Sequence, residues 1–231
     1  QCTITHVRIA RENGIALSWG YLCGREPNEH RVKVGREFEP FRQWKKYLNE
    51  KPPRHQRSGA PVIGIPVALT AYSLLPFWQH LFAGIGCEVK LHSGTDEETR
   101  AKAFSFVNAD FCFPVKALFG HASALIADPE VTHVLIPHMI ANVPRRKTPG
   151  SVFCPWVQGH SSALQTAFRQ HQMSVEKIMA PVVDLRLTPN ALAASLHHSF
   201  GTQLGVSQKA IRAALEPAMK AQKAFEAKCL A

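Results

Sequence analysis

Two cysteines stand where a helix would begin, at Cys112-Phe113-Pro114 and at Cys154-Pro155. In each case proline falls near the first helical position, where its missing N–H costs nothing. The positive end of the helix dipole favours the thiolate of a cysteine placed there. Thiolate is the form that binds iron or zinc, so two such corners of one sheet predict a shared ligand held by Cys112 and Cys154. The plain alternative is packing, because free cysteine is among the most buried residue types. Lys116, one turn after Cys112, is placed to meet an anion at the same helix start, or equally to point into solvent. His121 follows on the same segment.

The other four cysteines carry less. Cys87 opens a strand and reads as core, and Cys229 sits in the terminal helix. Cys2 and Cys23 flank a short hairpin, as ligands of a small metal knuckle do, but such sites need four ligands, usually from two close pairs. They are the weaker metal candidates. Six cysteines in 231 residues are too few for a secreted disulfide scaffold. Twelve histidines form no HExxH motif and read mostly as surface or hydrogen-bonded core residues. GxGxxG, GxxxxGK[ST] and GxSxG are all missing, which argues against the standard nucleotide loops and against a nucleophile elbow. No catalytic residue is assigned.

The elements that position these residues alternate in type. VIGIPVAL (62–69), CEVKLH (87–92), VTHVLIPHMI (131–140) and KIMAPVVDLR (177–186) read as buried strands. Between and after them run helical patterns at 72–86, 95–107, 111–127, 154–171, 188–204 and 207–228. The helix at 95–107 opens with Thr95 as cap and acids in its first turn. Alternation of apolar strands with helices predicts an α/β fold, three layers around a mostly parallel sheet. Sites in such sheets lie beyond the carboxyl ends of the strands.

A small β-hairpin module precedes this body. TITHVRIA and IALSW alternate about Asn13-Gly14, and residues 1–48 form the module with Cys2 and Cys23. The Pro- and Gly-bearing stretch 49–61 is a linker, and 62–231 is the α/β domain. The chain has net charge +10, with 12 of its 27 basic residues and 6 of its 17 acidic ones in residues 1–60. Without aromatic–basic interleaving or a helix-turn-helix pattern, nucleic acid is an unlikely partner. No apolar run reaches the length of a membrane span. The chain, which begins at Gln1, reads as a fragment of a larger cytoplasmic protein.

IGIPVALTAYSLLPFWQHLFAGIGCEVKL, CFPVKALFGHASAL and the CPWVQG helix start together resemble a domain of large activase proteins related to the activator of 2-hydroxyacyl-CoA dehydratase. Cys2 through LCGRE resembles the cysteine-bearing stretch before that domain. The resemblance implies a Rossmann-like unit similar to dehydratase subunits, which hold a 4Fe–4S cluster through a few cysteines. Carried over by position, Cys112 and Cys154 are the matching ligands, with Lys116 and His121 in the same motif. It further implies anaerobic metabolism, an ATP-dependent activase or reductase as the parent protein, and partners in other domains of the chain or an acyl-CoA dehydratase-like protein. The expected function is support of iron–sulfur electron transfer; the alternative is a non-catalytic docking or scaffold module of a multidomain ATPase-reductase. Neither makes the isolated fragment an enzyme.

Overall fold

The computed structural model describes residues 5–8, 16–19, 45–46, 59–107, 111–144 and 150–230. The chain divides into two compact units, Gln1–Gln43 and Trp44–Ala231. In the first, β1 (Thr5–Arg8) and β2 (Ala16–Trp19) pair antiparallel, with Thr5 opposite Trp19 and Arg8 opposite Ala16.

The second unit is α/β. Its main sheet holds β3 (Val62–Pro66), β4 (Glu88–His92), β5 (His133–Leu135) and β7 (Ile178–Met179) in the order β4-β3-β5-β7, all parallel. A two-stranded parallel ladder of β6 (His138–Ala141) and β8 (Val182–Asp184) continues beyond β5 and β7. The sequence predicts a single strand for each of the segments 131–140 and 177–186, and the structure divides both. Pro137 and Pro181 stand at the divisions, and proline brings no N–H to a ladder. The Ile136 N–H donates to Met179 O at 2.8 Å and the His138 N–H to Pro181 O at 2.8 Å, so the register carries across the breaks.

Among the described residues from 59 on, the helices are α1 (Ala71–Gly84), α2 (Glu97–Phe106), α3 (Phe113–Ala127), α4 (Pro155–Gln170), α5 (Pro189–Leu196), the short α6 (Thr202–Leu204) and α7 (Gln208–Leu230), so the single helix expected over 188–204 is divided. A π-helical turn at His197–Gly201 joins α5 to α6. Asp96 caps α2 by accepting from the Thr99 N–H at 2.8 Å, one residue later than the expected Thr95. An ionised carboxylate accepts that bond better than a hydroxyl, and Glu97 and Glu98 in the first turn add charge of the favoured sign. Gly86, at φ +81, turns the chain out of α1 toward β4 in a backbone that glycine adopts without cost.

Alternate residues of each strand face opposite cores. Ile63, Ile65 and Leu135 pack with Phe77, Trp78 and Phe82 of α1 and with Ile211 and Leu215 of α7. Val134 and Ile136 face the other way, against Leu118, Phe119, Leu125, Leu164 and Phe168 of α3 and α4. The sheet is thus covered on both faces, as strands apolar on both sides require. Among the described residues no helix is long and apolar enough to cross a membrane.

Candidate functional site

Cys112 and Cys154 each cap a long helix, and their backbones match. Cys112 has φ −60 and ψ 148; Cys154 has φ −62 and ψ 154. The Cys112 carbonyl accepts from the N–H groups of Val115 and Lys116 at 3.0 and 3.2 Å, and the Cys154 carbonyl from those of Val157 and Gln158 at 2.9 and 3.1 Å. Proline in the first turn of each helix fixes φ where no N–H is needed. Neither thiol caps its own helix, and both are exposed.

The two helix starts meet through aromatic rings. Phe111, just before Cys112, packs edge-on against Trp156, two residues after Cys154, with ring centroids 4.7 Å apart. Short connections take α3 into β5 and α4 into β7, so both helices begin on the carboxyl-end side of the sheet. Around them lie Phe104, Phe113 and Trp156, each about half exposed at 53%, 47% and 51%. Phe104 and Phe113 are themselves neighbours at 6.4 Å. Large apolar side chains grouped this way at a surface mark contact sites more often than isolated ones do.

The remaining candidates sit differently. Lys116 lies one turn into α3 with its ammonium 5.4 Å from the Phe104 ring centroid, a cation–π arrangement. His121 is fully buried, and both its ring nitrogens are engaged inside the protein. Its Nδ1 lies 2.7 Å from Nδ1 of His92, and its Nε2 lies 3.0 Å from the Thr95 hydroxyl. Burial, then the neighbouring His92, pushes its pKa down to about 4. Thr95 therefore serves this histidine rather than the helix that follows. Cys87 is buried as expected, and burial pushes its thiol up to about 11. Cys2 and Cys23 lie outside the described residues.

Among the described residues no three His, Cys, Asp or Glu side chains form a group able to hold a metal ion. Cys112 and Cys154 are soft sulfur donors of the type that iron–sulfur clusters use, but two donors make half of a usual set of four. The aromatic surround of the two cysteines was not singled out from the sequence. Its one signal was an aromatic residue close to each cysteine, Phe111 and Phe113 at one and Phe153 and Trp156 at the other.

No curated protein and no solved structure matches the chain. A family model described as the CoA enzyme activase uncharacterised domain matches residues 62–231, from the start of β3 to the end of the chain given. The chain belongs to the CoA enzyme activase domain family.

Proposed function

We propose that this domain serves an acyl-CoA dehydratase activator-like protein by presenting Cys112 and Cys154 as two thiolate ligands of a 4Fe–4S cluster used in electron transfer. The observation that carries the reading is the pair of exposed cysteines at matched helix caps, joined by the Phe111–Trp156 contact. When bound, the cluster supplies a one-electron carrier. The protein's part is to hold two sulfur ligands on rigid helix starts. Lys116, one turn after Cys112 and over the Phe104 ring, supplies a positive charge on the same helix start. The other ligands come from elsewhere in the full protein, Cys2 and Cys23 among the candidates. ATP hydrolysis belongs to other domains of that protein, and a reducing cytoplasm keeps the exposed thiols free.

An anaerobic iron and sulfide determination with a visible spectrum, on the full protein and on its Cys112→Ala and Cys154→Ala variants, tests this. Iron in the parent and its loss in both variants is the expected result. A parent whose iron and sulfide survive both substitutions overturns the reading.

A second reading has its own observation. The exposed Phe104, Phe113 and Trp156 form a surface suited to docking an acyl-CoA dehydratase-like protein or another domain of the same protein. On that reading Phe113→Ala and Trp156→Ala weaken association, while cysteine substitution leaves it unchanged.

A further inference from the structure

The strand order β4-β3-β5-β7 reverses at β3, which has β4 on one side and β5 on the other. Open α/β sheets hold ligands at this point, outside the carboxyl ends of the two strands where the chain parts in opposite directions. Here β3 ends at Pro66, and the chain turns through Leu69 and Thr70 into α1. Leu69 adopts φ +50, a left-handed backbone that a leucine rarely takes and that persists only where the surroundings enforce it.

A cavity of about 20 Å³ opens at this turn, lined in part by Pro66, Leu69, Thr70, Leu118, Pro137 and His160. That is room for one water molecule. His160 is only 3% exposed, and its Nδ1 donates to the Val157 carbonyl at 2.8 Å. That bond selects the Nδ1–H tautomer and leaves Nε2, on the far edge of the ring, as an acceptor. Burial pushes the His160 pKa down to about 4, so the ring is neutral at neutral pH. Thr70 is buried too, and its hydroxyl makes no capping bond to α1. The rest of the lining is apolar, and no charged side chain contributes to it. Buried polar groups of this kind are satisfied in folded proteins, by ordered water where no side chain reaches.

We infer that the switch-point crevice is a binding site for one neutral hydrogen-bond donor, occupied by an ordered water that donates to His160 Nε2 and bonds the Thr70 hydroxyl. The absence of charge in the lining and the lone pair on His160 exclude an anion and select a donor. Nothing in this site depends on Cys112 or Cys154, so it stands or falls apart from the cluster reading.

Two measurements on the unsubstituted protein decide it. Long-range proton–nitrogen NMR of the histidine-labelled chain is expected to show His160 protonated on Nδ1 alone at neutral pH, with Nε2 shifted as a hydrogen-bonded acceptor. A crystal structure at a resolution that orders internal waters is expected to show one water between His160 and Thr70. A ring protonated on Nε2, or an empty crevice in the density, overturns the proposal. Thr70→Val, which keeps the shape and removes the hydroxyl, is expected to leave the chain folded and to lower the occupancy of that water; unchanged occupancy counts against the role of Thr70.

Discussion

Phe111 and Trp156 stand edge to face at 4.7 Å and 82°, and each lies within two residues of an exposed cysteine. This contact links the start of α3 to the start of α4. Edge-to-face pairs contribute about 0.5–1.5 kcal/mol beyond the area they bury. A double-mutant cycle of Phe111→Ala and Trp156→Ala, followed by urea unfolding, is therefore expected to show coupling of about that size. Additive single effects would mean the rings do not hold the two helix starts together.

The close approach of α2 and α3 rests on Gly120. A Cβ at this position would lie 2.2 Å from the Thr99 carbonyl oxygen, which is backbone and cannot rotate away. Gly120→Ala is expected to cost about 1–3 kcal/mol as the helices separate, although alanine is the better helix former. Gly159 in α4 provides the control, since a Cβ there meets nothing within 4 Å. Its alanine variant is expected to gain up to about 1 kcal/mol from helix propensity. Urea midpoints of the two variants should move in opposite directions.

Acid should destabilise the fold before its carboxylates titrate. His121 and His160 are held neutral, each with a folded pKa of about 4 against an ordinary 6.5. Burial also lowers the pKa of His133. Between pH 6.5 and 4 the unfolded chain binds protons at these positions that the folded chain does not. Stability therefore falls as pH falls through this window, by at most about 1.4 kcal/mol per pH unit for each histidine. Asp96, Asp128 and Asp184 have lowered pKa values, each first through its hydrogen-bonded partner, so their contributions are lost only at still lower pH. Unfolding free energies measured from pH 7 to 4 should decline steadily; a flat profile would show that the buried rings are not kept neutral.

Thiol accessibility separates the cysteines by place. Cys112 and Cys154 are exposed at helix caps, whereas Cys87 is buried with its thiol pushed up to about 11. Alkylation resolved by mass spectrometry should modify the first two in the folded protein, and Cys87 only on unfolding. Early modification of Cys87 would contradict its burial.

Much of this was legible in the residues. The helical patterns expected from 188 and from 207 open at Thr188 and Ser207, whose hydroxyls accept from the Ala191 and Ala210 N–H groups at 3.3 and 3.2 Å. The cysteines stood out because each precedes a proline-bearing helix start. The cap of α2 was misplaced by one residue because Thr95 and Asp96 are both good caps, and only the distant His121 decides between them. Phe111–Trp156 joins positions far apart in the chain, and no local pattern encodes such a meeting. His160 looked like any polar residue of an amphipathic helix. Its burial depends on how α4 lies across the turn after β3.

Pro137 and Pro181 interrupt neighbouring parallel strands at the same level, between the pairs Leu135–Met179 and His138–Val182. Only Pro181 removes a donor from the ladder between them, because the Ile136 and His138 N–H groups point to that neighbour and the Pro137 position between them faces away. Cooperative opening in proteins follows lines of sparse hydrogen bonding. The missing rung lets the ladder of β6 and β8 exchange its amide protons apart from the β4-β3-β5-β7 sheet, while Met139 and Val183 tie it into the same hydrophobic core as Ile63 and Leu135.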